Sequence, residues 1–202
     1  MKDIQIMQAE QSTTDGAKLH QMALQEMAQM IVGTEDDYEV EQTLGQLWQH
    51  QHNRFSFHYA YVAKAGKKTV GMISCYPATL LQKLAWPTVK RVLAIRQWPL
   101  IQYTIRHLPE TWQLLRLDEG RKDEFHIAAL AAAPESRGMG VGTKLIAYAE
   151  QLAREQHFQK LSLTVKQNNE GARLLYERLG FRIVDRIDKK PFYLYRMVKL
   201  LG

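Results

Sequence analysis

Apolar positions recur along this chain at two spacings, and the switches between them outline its elements. Residues 4–7 read as a first strand. Over residues 16–32, Leu19, Met22, Ala23, Met27 and Met30 recur at helical spacing and predict one amphipathic helix. Thr34, with Asp37 three residues on, reads as the N-cap of a second helix running to about Gln51. Two strands follow near 57–63 and 69–76. They pair as a hairpin through Lys64-Ala-Gly-Lys-Lys68, and Pro77 ends the second. In residues 79–123, Trp86-Pro87, Trp98-Pro99 and Leu108-Pro109 cut the pattern into short helices, because proline suits a first helical turn and not an interior.

From residue 124 the pattern is cleaner. Residues 125–132 form a short apolar strand, and 141–157 a helix with Leu145, Ala149 and Leu152 on one face. Leu161, Leu163 and Val165 alternate with Ser162, Thr164 and Lys166 as a half-buried strand. A helix over 170–179 closes at Gly180 in the C′ position. Residues 181–187 and 192–199 make a last strand pair joined through Asp188-Lys-Lys-Pro191. This order implies an α/β fold with a mixed sheet and helices on both faces. At 202 residues, with no internal repeat, the expectation is one domain over 1–202 carrying a helical insertion at about 79–123.

Composition changes the picture in two respects. The net charge of +6 is uneven: residues 1–56 hold three basic and nine acidic side chains, residues 57–202 twenty-four and twelve. A basic C-terminal part suits a polyanionic ligand, either nucleic acid or a phosphorylated small molecule, and a bland solvated surface fits equally. Cys75 is the single cysteine, which excludes an internal disulfide and a multi-cysteine zinc site. No apolar run approaches the ~20 residues of a membrane span, and residues 1–10 lack the pattern of a secretory leader. A cytoplasmic location, no membrane partner and no metal are the expectations.

The informative stretch is Ala131-Ala-Ala-Pro-Glu-Ser-Arg-Gly-Met-Gly-Val-Gly-Thr-Lys144. A strand ends, Pro134 starts a turn, and Gly138, Gly140 and Gly142 open an amphipathic helix. Unhindered backbone N–H groups at a helix N-terminus bind anions, since orphan donors and the macrodipole point the same way. Arg137, Thr143 and Lys144 add charge and a donor. A glycine-rich turn with no ligand is the plain alternative. Two other phosphate motifs fail on spacing. A P-loop needs Lys directly after its last glycine, and here Thr143 intervenes. In the dinucleotide fingerprint the third glycine falls one residue later, and an acid stands about 20 residues beyond it.

Arg137-Gly-Met-Gly-Val-Gly142 resembles the R/Q-x-x-G-x-G/A motif of GNAT-superfamily N-acetyltransferases, and Leu130-Ala-Ala-Ala-Pro134 resembles the strand end before it. A second block is similar to V-x-x-x-N-x-x-A-x-x-L-Y-x-x-x-G-F of that superfamily, filled by Val165, Asn169, Ala172, Leu175, Tyr176, Gly180 and Phe181. The resemblance covers 124–199 well and 1–78 in outline; the 79–123 segment departs from it. It implies the GNAT acyl-CoA N-acyltransferase fold, with a central, mostly antiparallel twisted sheet. It implies acetyl-CoA (coenzyme A) as co-substrate and transfer of acetyl to a primary amine of a small-molecule or protein acceptor. The backbone of Leu130, Ala131 and Ala132 would pair with the pantetheine arm. The N–H groups of Arg137, Gly138, Met139, Gly140, Val141, Gly142 and Thr143 would hold the pyrophosphate. Asn169 would bond the pantetheine amides, and Tyr176 would protonate the leaving thiolate.

An attacking amine must first lose a proton. Glu124 and His126 stand two apart on the strand entering the motif, on one face, and are the candidate bases. Several family members carry a carboxylate near the place of His126, whose ordinary pKa of ~6.5 suits a base. Water and a purely structural role for both residues remain open. The acidic cluster Glu35-Asp-Asp-Tyr-Glu39 with Glu41 fits attraction of a cationic amine or, more simply, a helix N-terminus. The 79–123 helices are open as a lid, a wall of the acceptor pocket, a homodimer contact or plain packing. The alternative function is a non-catalytic acyl-CoA-binding module on the same fold. A nucleic-acid partner is not expected, because nothing resembles a base-reading module.

Overall fold

A computed structural model describes residues 4–136 and 138–202. In chain order the strands are β1 (Ile4–Gln8), β2 (Ala60–Ala65), β3 (Lys68–Pro77), β4 (Phe125–Ala132), β5 (Lys160–Lys166), β6 (Arg182–Lys189) and β7 (Phe192–Leu200). The helices are α1 (Gly16–Leu24), α2 (Glu26–Val32), α3 (Asp37–Gln49), α4 (Ala78–Arg96), α5 (Trp98–Arg106), α6 (Leu108–Leu115), α7 (Val141–Glu155) and α8 (Glu170–Arg178). The strands form one sheet in the order β1-β2-β3-β4-β5-β7-β6. Every neighbouring pair is antiparallel except β4–β5.

Helices cover both faces, as the sequence pattern implies. On one face Leu19 of α1 and Trp48 of α3 pack on Val62, Met72, Ala129 and Ala131. On the other, Val141, Leu145, Ile146 and Ala149 of α7 and Tyr176 of α8 pack on Ile73, Phe125, Ile127 and Leu163. Gly71 lets α7 settle close to the sheet: a Cβ there would meet Val141 Cγ1 at 2.6 Å and the Ala131 carbonyl oxygen at 2.9 Å. Gly16 serves α1 in the same way, with the Trp48 ring 2.5 Å from where a Cβ would stand.

Two expectations are corrected. The pattern over 16–32 is not one helix. Gln25, at φ +54°, breaks it into α1 and α2. The apolar side chains serve two surfaces: Leu19, Met22 and Ala23 pack on the sheet, whereas Met27 and Met30 pack on Ile187, Phe192 and Leu194. One straight helix has a single stripe and cannot face both. Conversely, Pro87 does not end a helix but lies inside α4. Buried Leu81, Leu84, Thr88 and Val92 hold α4 to the body on both sides of the proline, and the Thr88 hydroxyl donates to the Leu84 carbonyl at 2.7 Å. Tertiary packing outweighs a local cost of ~3 kcal/mol. Pro99 and Pro109 do occupy first turns, of α5 and α6.

Smaller shifts occur at ends. The N-cap of α3 is Asp36, whose carboxylate accepts from the Tyr38 and Glu39 amides, and Thr34 instead supports Asp36. A 3-10 turn at Phe57–Tyr59 precedes β2. Among the described residues no helix is long and apolar enough to cross a membrane.

Candidate active site

The parallel ladder between β4 and β5 is short. It holds only Phe125↔Leu161, His126↔Ser162 and Ile127↔Leu163, after which the strands part. A bulge marks the same point. Against β3, Ile127 pairs with Cys75 and Ala129 with Ser74, so Ala128 is the extra residue. A bulge bends its strand and shifts the alternation by one. Accordingly Phe125 and Ile127 face α7, yet Ala129 and Ala131 face α1. Where β4 and β5 part, a cleft of about 150 Å³ opens between the two faces of the sheet. Its walls are Ile127–Leu130 on one side and Leu163–Lys166 on the other, with Met22–Gln25 of the α1–α2 elbow above. Beyond Ile127 the β5 side of β4 has no ladder, so its backbone groups are available to an extended ligand.

The glycine turn continues from the end of β4. Ser136 fixes its start, donating to the Val70 and Ala133 carbonyls at 3.0 and 2.7 Å. Gly138 and Gly140 have φ of +78° and +72°, the left-handed region that glycine enters without strain. Among the described residues a Cβ at either would meet nothing within 4 Å, which leaves room there for a ligand. Gly142 has another task, since a Cβ there would stand 3.3 Å from Leu175 of α8. The first-turn amides of α7, from Val141 to Thr143, have no partner within the helix. Met139 packs on the core and Thr143 is exposed. Arg137 lies outside the described residues.

Asn169 and Tyr176 both line the cleft from α8. Asn169 caps the helix, its Oδ1 accepting from the Ala172 amide at 3.2 Å, which leaves its NH₂ group as the donor it can offer. Gly180, at φ +91°, ends α8 at C′ as predicted; the Phe181 amide reaches back to the Tyr176 carbonyl at 3.0 Å. That closure fixes Tyr176 against Phe181, ring centroids 5.9 Å apart. Burial pushes the Tyr176 hydroxyl up to about 12, so it is a neutral donor at any physiological pH.

Glu124 and His126 are not among the residues lining the cleft. Glu124 is buried in an ion pair with Arg196 of β7, and its second oxygen accepts from the Arg121 amide at 2.9 Å. His126 is fully buried, with Nδ1 and Ser162 Oγ 3.1 Å apart and Nε2 without a partner among the described residues. Burial lowers its pKa to about 4. A carboxylate that the sequence did not single out does face the cleft: Glu119, held by Arg54 at 2.7 Å. It sits in the irregular segment between α6 and β4, where neither periodicity nor motif marks it. The acidic cluster at 35–41 takes the simpler role: Asp36 caps α3, Asp37 Oδ1 accepts from Gln21 and Gln29, and Glu39 pairs with Arg96 at 2.6 Å. Trp48 is core, while Tyr61 packs against Tyr148.

The architecture has known counterparts. An N-acetyltransferase from Staphylococcus aureus Mu50 superposes with a TM-score of 0.74 at 22% identity, over 96% of this chain and 99% of that one. A PaiA N-acetyltransferase from Thermoplasma acidophilum, in complex with coenzyme A, gives 0.55 at 12% identity over 98% and 99%. At these identities the likeness concerns the fold. In sequence, a 5-NmdU N-acetyltransferase of Pseudomonas phage PaMx11 is 38% identical over 63 residues, 31% of this chain and 43% of that protein. The chain thus matches less than half the length of that curated relative. The acetyltransferase (GNAT) family profile matches residues 19–181. With that span, most of the chain including the cleft and the glycine turn, the protein belongs to the GNAT acetyltransferase family.

Proposed function

We propose that this protein transfers acetyl from acetyl-CoA to a primary amine by direct attack in a ternary complex. The observation that carries the reading is the continuity of three features: the parted β4–β5 edge, the open glycine turn at the start of α7, and Tyr176 on the same wall. The residues fit the co-substrate. The backbone of Leu130, Ala131 and Ala132 would pair with the pantetheine arm as an added strand. The amides from Gly138 to Thr143 would hold the pyrophosphate. The T. acidophilum neighbour of similar fold is described in complex with coenzyme A, which supports coenzyme A as the ligand. When bound, acetyl-CoA supplies an activated acetyl group. The chain positions the reactants, excludes water beneath the α1–α2 elbow, and delivers a proton from Tyr176 Oη to the departing sulfur.

The acceptor would enter from a second cavity of about 470 Å³ that shares Met27, Lys166 and Leu194 with the cleft. Met30, Phe192 and Tyr193 make much of its wall apolar, which suits an amine borne on an apolar or aromatic group. The test is release of free CoA thiol from acetyl-CoA with a panel of amines: spermidine, tyramine, a lysine peptide, and 5-NmdU, for which the phage relative is named. Saturable release with at least one amine is expected. Binding of acetyl-CoA without release to any of them would favour a non-catalytic acyl-CoA module.

A further inference from the structure

We propose that Glu119, held in place by Arg54, is the base that takes the proton from the attacking amine. The assignment rests on the acetyl-transfer reading above. Among the described residues lining the cleft, three titrate: Glu119, Lys166 and Tyr176. Lys166 is a cation paired with Glu26, and Tyr176 is a neutral phenol. Glu119 is the one anion there. It is 8% exposed, enough to meet a reactant in the cleft and too little to be a solvated surface acid.

Its surroundings are those of a held base. Oε1 accepts from Arg54 Nη2 at 2.7 Å, and Oε2 has no partner among the described residues. Burial pushes the carboxyl up, but the Arg54 charge beside it more than offsets this and holds it below its ordinary value. Buried Tyr76 lies beside Arg54, and His126 Nε2 has no partner among the described residues. Arg54 and Tyr76 also line a cavity of about 10 Å³, about the volume of one water-sized probe. The Glu124–Arg196 pair lies beyond His126 and is closed on itself.

The balance is simple. The amine nitrogen forms the bond to the acetyl carbon, the carbon–sulfur bond breaks, one N–H proton passes to Glu119, and the sulfur leaves with the Tyr176 proton. Exchange with solvent restores both groups, so one proton has moved from nitrogen to sulfur; an amine arriving as ammonium releases one more. A carboxylate is a weak base toward a resting ammonium of pKa ~10, but the N–H becomes acidic as the new bond forms. Base catalysis of this kind is worth roughly 10²–10⁴-fold.

The experiment compares wild type, Glu119→Gln and Glu119→Asp. Glutamine retains an acceptor for Arg54, and calorimetry with acetyl-CoA together with thermal melting reports site and fold independently of turnover. With the amine of the panel above that wild type uses best, Glu119→Gln should lower kcat/KM about 10²–10⁴-fold while acetyl-CoA affinity stays within about twofold. The rise of kcat/KM with deprotonation of the amine is common to all three proteins; the further acid limb set by the carboxylate should vanish in Glu119→Gln and persist in Glu119→Asp, against a background of Arg54, Tyr76, His126, Lys166 and Tyr176. Unchanged kcat/KM in Glu119→Gln would overturn the assignment. So would a loss of melting temperature or acetyl-CoA affinity that accounts for the lost activity, which marks a structural ion pair. Failure of wild type to bind acetyl-CoA, or to use any amine of that panel, would instead overturn the functional reading beneath it.

Discussion

Replacing Glu124 with alanine separates a structural carboxylate from a chemical one. Glu124 and Arg196 are 2% and 3% exposed, and each is the other's ionic partner. Alanine at 124 leaves the Arg196 guanidinium charged in the interior, and among the described residues its Nε already has no partner. The Arg121 amide loses its acceptor too. Removing one member of a buried pair costs roughly 3–5 kcal/mol, because the remaining charge is neither solvated nor compensated. That is a large part of the ~5–15 kcal/mol that holds a protein of this kind together. At about 2–4 °C per kcal/mol for a chain of this size, the melting temperature should fall by about 6–20 °C. The companion variant Glu124→Leu with Arg196→Met removes both charges and should recover most of the loss. Thermal and urea unfolding measure the effect, with CoA release measured below the transition. A melting temperature within about 2 °C of wild type, with turnover abolished and acetyl-CoA binding intact, would refute the reasoning and return Glu124 to the chemistry.

Tyr176→Phe should lower kcat at least tenfold and leave acetyl-CoA affinity within about twofold, as expected for a donor used in the reaction and not in binding; equal turnover removes its acid role. With the hydroxyl at about 12, wild-type activity should show no tyrosine limb below pH 10. A Cβ at Gly140 meets no described atom within 4 Å, and aspartate enters the left-handed region at φ +72° with modest strain, so for Gly140→Asp the fold should survive while calorimetry shows acetyl-CoA affinity down more than tenfold by charge repulsion. Gly71→Ala forces its Cβ to 2.6 Å from Val141 and should cost about 1–3 kcal/mol in urea unfolding, with weakened acetyl-CoA binding as the start of α7 is displaced. His20 and His126 are both lowered by burial from 6.5 to about 4. Their folded pKa values lie below the unfolded ones, so stability should be level above pH 6.5 and fall between 6.5 and 4, by up to about 3 kcal/mol for each; a melting temperature constant across that window contradicts their buried, neutral state.

What could be read from sequence follows the range of the interactions involved. The strand at 125–132, the helix entered through Gly138 and Gly140, and the Gly180 closure of α8 depend on near neighbours, and all stand where the pattern placed them. The elbow at Gln25 depends on two surfaces far apart in sequence, and the continuity of α4 through Pro87 on packing along its whole length. The pairings that decide which carboxylate does what are longer still. Arg54 reaches Glu119 across 65 positions and Arg196 reaches Glu124 across 72. In sequence Glu124 and His126 stand two apart near the motif and read as one strand face, whereas the separation of β4 from β5 at the Ala128 bulge decides which groups see the cleft.

The most direct test of the central claim is calorimetric titration of the intact protein with acetyl-CoA, with NAD as the control phosphorylated ligand. The cleft and the glycine turn predict one site per chain, micromolar affinity for acetyl-CoA and none for NAD. No heat of binding with acetyl-CoA, or equal affinity for both ligands, would contradict it.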